Sequence, residues 1–320
     1  MMTRFKNDMF KCEYDSDLLI RVLGGTVKGK QHVVIRNVAT ISEPQNNSLL
    51  FFSTKKWKDE YLNDLREIKE CFIIVEPQLV DNFSNIALNN CVVSTDNARL
   101  YFANALKNII NSKDNKRKYK THEKGYVVGE NVNIGKNCLI EPFVFIDHDV
   151  IIGDNVTIKS GVKIRKNVVI EDNVMIGENS VIGTQGFGIE KGEANMNIRI
   201  PHVGGVLIKE NVEVGALTSI VSGTISPTIV EKNVFIDDLN HIAHNCYIGE
   251  GTLSTAAVQI SGSAKIGANS YISPNSTIRN GISVGNNCFI GQASSVQKSF
   301  GDNVSIVGNP AKIFNKEGSV

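Results

Sequence analysis

From Val127 to Gly186 the sequence reads VVGENV NIGKNC LIEPFV FIDHDV IIGDNV TIKSGV KIRKNV VIEDNV MIGENS VIGTQG, ten hexads in one frame. The frame returns at Leu207 (LIKENV EVGALT SIVSGT) and again at Ile229, where it runs twelve more hexads to Phe300. In nearly every hexad the second residue is Ile, Val or Leu. The sixth is usually Val, Ala, Cys, Ser or Thr. A period of six fits neither a lone helix nor a half-buried strand. It fits a coil of three short strands, one hexad to each strand and three hexads to each turn. The large aliphatic points inward and the small residue tucks under it. Gly, Asn and Asp take the corners, where positive φ is tolerated. Stacked at a strand spacing of roughly 4.8 Å, such coils form a prism on the order of 40 Å long, stabilised by neighbour-on-neighbour packing.

Two interruptions break the beat. Residues 187–206 hold FGIEKGEANMNIRIPHVGGV, and Ile225–Thr228 reads ISPT. Insertions in a solenoid become loops on one face, where binding concentrates. The net charge of +1 implies no nucleic-acid or membrane field. No apolar run approaches the roughly 18 residues of a spanning helix. The first residues, MMTRFKNDMFKCEYDSD, lack an apolar signal core, so a cytoplasmic protein is expected. Cys138, Cys246 and Cys288 take the sixth place of a hexad and read as core thiols. No metal site is expected.

Residues 1–110 lack the beat and read as a small α/β domain. QHVVIRNVA, CFIIVEP and CVVS have the composition of strands. Within TKKWKDEYLNDLREIKE, Trp57, Tyr61, Leu65 and Ile68 are spaced for an amphipathic helix. Asn97–Ile110 predicts another, with Asp96 as its cap. Residues 111–125 read as a solvated linker, 126–306 as the coil with its insertion, and 307–320 as a tail.

The chemistry concentrates at His241-Ile242-Ala243-His244-Asn245. Gly262 follows His244 by three hexads, one full turn. A glycine on that rung leaves the wall beside the imidazole open and exposes a backbone N–H. Such an imidazole can take a proton from an attacking amine, and the N–H can hold the oxyanion of an acyl transfer. Asp237, in the preceding hexad, is a candidate to orient His244. There is no nucleophile elbow, and GTQGFG lies inside the coil rather than between a strand and a helix. Direct amine attack on a thioester is the chemistry this inventory supports best.

The hexads resemble the left-handed parallel β-helix acyltransferases. More closely, LLFFSTKKW, DNARLYFANAL, GFGIEKG, IRIPHVGGVLIKENVEVGA, FIDDLNHIAHNCYIGEGT and QISGSAKIG resemble the UDP-3-O-acylglucosamine N-acyltransferase family of lipid A synthesis. The resemblance implies a mainly β fold, a homotrimer, and active sites in clefts between neighbouring coils. It implies His244 as general base, Gly262 as oxyanion donor, and Phe51 and Trp57 as the aromatics that hold uracil. Thr54 stands where the family usually has an Asn that reads the base edge. His202 replaces a usual Gln and, with His241, is a candidate acceptor contact. Val221 and Ser222 replace a charged pair of the family's TIDRG, and Asn280 and Gly281 stand where it has a second histidine. VGNPAK (Val307–Lys312) is similar to the end of coenzyme A-using sugar acetyltransferases, which implies Gly308, Asn309, Pro310 and Lys312 as donor contacts.

These features together predict an N-acyltransferase acting on a nucleotide-linked amino sugar. The donor expected from VGNPAK is a short acyl-CoA, acetyl-CoA above all, for O-antigen or capsule sugars, with no bound cofactor. Two alternatives stand beside it: the lipid A N-acyltransferase, fed by acyl carrier protein, and a non-catalytic scaffold that binds sugar nucleotide.

Overall fold

The computed structural model describes residues 12–112 and 118–314. The chain divides into two compact units. One comprises residues 1–116 with 187–201, the other 117–186 with 202–320.

The second unit is the coil that the hexads predict. Three sheets wind through it, of ten, eight and ten strands; their rungs pair in parallel, and each ten-stranded sheet carries one antiparallel strand beyond its rungs. Sheet I starts at Val127–Val128, sheet II at Asn133–Ile134 and sheet III at Leu139–Ile140. Each turn visits I, II and III in order. Phe145 pairs with Val127 on one side and Lys163 on the other, a step of three hexads each way. Along sheet I, His241 pairs with Ser219 and with Gln259. The step from Ser219 to His241 is longer than three hexads, because Ile225–Thr228 is extra. The second residue of the hexads fills the axis: Ile146, Ile164, Ile182, Ile220, Ile242 and Ile260 have no solvent exposure. Each such side chain contributes about 1.5–3 kcal/mol of burial. Ser254 is the polar exception. Its hydroxyl donates to Asn240 Oδ1 at 2.7 Å, and the Asn240 amide donates to carbonyls of Asp237 and Thr255. The buried pair is thereby satisfied.

The corners take positive φ, as the composition predicts. Asn137, Asn155, Asn173, Asn211 and Asn233 lie at φ between 56 and 59° on the II–III edge. Each amide of that column donates to the next at 3.2–3.3 Å. Strand Lys120–Thr121 pairs antiparallel with the first rung. The hairpin Ser305–Gly308 and Ala311–Ile313 closes the last. Of the expected linker, Ser112 ends a helix, Lys120–Thr121 is strand, and 113–117 lie outside the described residues, as do 315–320 of the tail.

The first unit holds a five-stranded sheet in the order Thr26–Gly29, Cys91–Ser94, Phe72–Val75, Ser48–Phe52, Asn37–Val38. Only the first of these is antiparallel to its neighbour. Helix α1 (Ser16–Leu23) is capped by Asp15, whose carboxylate accepts from Asp17 N. The helix expected across Thr54–Glu70 shrinks to α2, Tyr61–Leu65. At Trp57 the backbone is extended (φ −69°, ψ 140°). Its ring packs against Phe52 and Phe83 in the core, which pulls the chain off a helical path. Helix α3, Ala98–Ser112, is capped by Asn97, not Asp96: Asn97 Oδ1 accepts from Leu100 N at 2.9 Å. The insertion is likewise not a loop on the coil. Ile189–Lys191 and Asn197–Arg199 form a hairpin that packs on α3 within this unit, with Arg99 paired to Glu190.

Candidate active site

Three successive rungs shape the I–II edge of the coil. The long insertion leaves after Gly186, the short one after Thr224, and His244 sits at the same edge on the rung that follows. His244 is half-buried. Its rung-mate above is Gly262, as the spacing predicts: Ser263 N donates to His244 O at 2.8 Å. A Cβ on Gly262 would lie 2.6 Å from both Cε1 and Nε2 of the imidazole. Real side chains do not approach so closely, so a larger residue there would push the imidazole out of this position. Among the described residues nothing accepts a hydrogen bond from the Gly262 N–H. Its carbonyl, by contrast, accepts from Asn280 Nδ2 and Gly281 N, which fixes the turn.

The other edge of the imidazole is held by Asn245, not Asp237. His244 Nδ1 lies 3.0 Å from Asn245 Oδ1. That amide oxygen also accepts from Thr224 N and Oγ1, while Asn245 Nδ2 donates to Ser226 O and Asn245 N to Thr228 Oγ1. An amide oxygen only accepts, so Nδ1 carries the proton and Nε2 the lone pair. The lone pair thus faces the glycine rung. Asp237 is exposed and occupies the III–I edge, where its carboxylate accepts from Asp238 N. The sequence held the signal for Asn245 in IAHN and for its anchors in ISPT, but frequent Asx at corners masks it.

His202 is 1% exposed and lies in the same unit, with its ring centroid 5.2 Å from that of His244 and nearly edge-on at 62°. His241 is half-buried on sheet I. Burial pulls its pKa below 6.5, and the neighbouring His244 adds to the effect. Ser222, in place of a charged family residue, is buried and accepts from Gly205 N at 2.9 Å, while Val221 packs inside. Ser222 therefore holds the return of the long insertion. Gly308, Asn309 and Pro310 form the exposed turn of the closing hairpin, with Lys312 exposed beyond it. Cys246 and Cys288 are buried and Cys138 half-buried, all as thiols. Burial pushes Cys246 up to about 12, so it is inert.

In the first unit, the half-buried Phe51 ring lies 4.5 Å from Phe102. Trp57 donates from Nε1 to Asp59 at 2.9 Å. Thr54 donates from N and Oγ1 to Glu76 Oε2 at 2.8 and 2.6 Å.

The bacterial transferase hexapeptide (six repeats) model matches residues 131–166, 149–184 and 263–297. A UDP-3-O-acylglucosamine N-acyltransferase of Francisella tularensis subsp. holarctica is 35% identical over 256 residues, 75% of this chain and 73% of that protein. The chain belongs to the UDP-3-O-acylglucosamine N-acyltransferase family. A Helicobacter pylori relative of the same name is 43% identical over 143 residues, 45% of this chain. The chain spans less than half the length of that relative, 43%. Among solved structures, a UDP-N-acetylglucosamine acyltransferase from Campylobacter jejuni matches 61% of this chain and 74% of its own, with a TM-score of 0.55 and 26% identity. These relatives overturn the expected acetyl-CoA-dependent sugar N-acetyltransferase of O-antigen or capsule synthesis, since both curated proteins carry the acylglucosamine name. The motif that suggested it, Val307–Lys312, is the hairpin that closes the last rung.

Proposed function

We propose that the chain transfers an acyl group from a thioester to the amine of a UDP-linked 3-O-acylglucosamine, a step of lipid A synthesis. The observation that carries this reading is the His244–Gly262 pair, with the Nε2 edge of the base against a rung that has no side chain. The neutral sugar amine attacks the thioester carbonyl and a C–N bond forms. His244 Nε2 takes the amine proton. The Gly262 N–H donates to the oxyanion. As the C–S bond breaks, the imidazolium returns the proton to the departing thiolate. General-base assistance of this kind contributes roughly 10²- to 10⁴-fold.

Phe51 and Trp57 are proposed to hold uracil by stacking, with Thr54 beside them. His241 is proposed to contact the acceptor. The donor is proposed to be 3-hydroxyacyl carrier protein, with Gly308, Asn309, Pro310 and Lys312 meeting its pantetheine arm. A nucleotide sugar and an acyl thioester fit a cytoplasmic setting. We also infer a homotrimer. An exposed column of Phe235, Leu253, Tyr271 and Phe289 on sheet III supports it, because such a stripe costs less when covered. Light scattering should then give about 105 kDa, three times the chain's 35.0 kDa.

The test is a donor panel with UDP-3-O-(3-hydroxyacyl)glucosamine as acceptor. N-acylation with 3-hydroxyacyl carrier protein is expected, and His244→Ala should remove it while the circular dichroism stays unchanged. Full activity in that variant would remove His244 as the base, whereas no N-acylation by the wild type with any donor of the panel would leave a sugar-nucleotide-binding scaffold as the better account of this edge.

A further inference from the structure

We infer that His202 is a positioning residue for the base: it holds the plane of the His244 ring and keeps water from its inner face. This rests on the acyl-transfer reading above. A histidine ring turns about a broad, two-fold torsion, so one hydrogen bond does not fix its plane. Asn245 holds His244 at Nδ1. A second contact is needed across the face of the ring, and His202 supplies it, inclined at 62° with a centroid separation of 5.2 Å. Offset or edge-to-face geometry is the favoured arrangement for such rings.

His202 is itself built in. Gln185 clasps its backbone from both sides, accepting from His202 N at 2.9 Å and donating to His202 O at 3.0 Å. Its ring lies so close to Gly186 that a Cβ there would stand 2.4 Å from Nε2. Asn167 then donates to Val203 O at 3.1 Å, which pins the next residue. Each of the two imidazoles thus abuts a glycine, Gly186 for His202 and Gly262 for His244. The long insertion, on this account, does more than carry a hairpin. Its returning end delivers a rigid wall to the base on the rung two turns along the same edge.

Among the described residues, His241, on its own rung, and His202 from the returning insertion are titratable neighbours of His244. Asn245, Thr224 and Asn280 are the neutral polar groups around them. Removing the His202 ring would admit water to His244 and favour its charged form.

Two variants test the assignment, His202→Ala and His202→Gln, with wild type beside them. Imidazole titration by NMR reads His244 without any substrate, so it stands even if the proposed acceptor proves wrong. For His202→Ala we expect the His244 midpoint to move up by about half a pH unit or more. In turnover we expect kcat to fall tenfold or more, KM for the acceptor to stay within twofold, and the acid limb of the pH profile to follow the NMR shift. His202→Gln, which keeps a planar polar group of similar size, should recover most of the rate. An unmoved His244 titration in folded His202→Ala would sink the assignment. So would a tenfold rise in KM with kcat intact, which would make His202 an acceptor contact instead. If His202→Ala does not fold, Gln185→Ala loosens the same clasp from outside the ring pair, and an unchanged titration there overturns the idea equally. Absence of turnover in wild type with a normal NMR response would count against the reaction and leave the positioning role standing.

Discussion

At the scale of single residues, the site depends on an absence of side chain at Gly262. Gly262→Ala puts a carbon 2.6 Å from the base. The imidazole must swing away from Asn245 or the rung must shift. Overpacking of this sort costs about 1–3 kcal/mol, and kcat should drop by at least tenfold, read by turnover and by urea denaturation together. His241 makes a second prediction, on pH. Its folded pKa lies below the ordinary 6.5 because burial disfavours the imidazolium. Above 6.5 both folded and unfolded chains hold it neutral and its contribution is fully present. As pH falls through 6.5 toward the folded value, the unfolded chain takes up the proton first, so stability declines. The melting temperature should therefore fall between pH 6.5 and 5, with a shallower slope in His241→Gln. Much of this neighbourhood was legible beforehand. Counting three hexads on from His244 finds Gly262 with no structure in hand. Counting a single hexad also shows why Asp237 fails as the orienting group: one hexad is one face, so a residue in the preceding hexad turns a different edge. His202 was visible as a departure from the family pattern, but its approach to His244 depends on the path of the long insertion. No periodicity encodes that path.

At the scale of elements, the rungs are short strands joined by corners, and the corners carry the specificity. Asn173 sits at φ 59°, accepts from Asn155 and donates to Asn211. Asn173→Ala keeps a Cβ in the left-handed region without the polar side chain that eases it there, at about 1–2 kcal/mol, and removes both amide contacts. Asn173→Gly removes the contacts without the strain. The urea midpoint should accordingly fall more for alanine than for glycine. Equal shifts would mean that the side-chain column, rather than backbone conformation, selects asparagine there. Elements of the first unit were harder to read. The interior strand Ser48–Phe52 carries no alternation, because both of its faces are covered: Leu49 and Leu50 are fully buried in opposite directions. The pattern Trp57, Tyr61, Leu65, Ile68 mimics a helix while only Tyr61–Leu65 forms one. An apolar spacing records which residues seek the core, not the path that takes them there.

At the scale of the molecule, the two units have different logic. The coil is quasi-one-dimensional, each turn resting on its neighbours. The first unit is closed partly by a segment remote in sequence, the hairpin within residues 187–201. Deleting residues 1–112 removes α3, on which that hairpin packs. Limited proteolysis of such a fragment should cut within 187–201 at least tenfold faster than in the whole chain, while the coil itself resists. Equal cutting rates would show that the hairpin holds together without α3. Both interruptions depart from one edge, I–II, on successive rungs, and the amide column on II–III runs from Asn137 to Asn233 past them. Such a scaffold is permissive on one side only. A foreign peptide spliced in after Gly186 or Thr224 would inherit a tether that already tolerates extra length, whereas the same graft at an asparagine corner would unzip the prism from its seam.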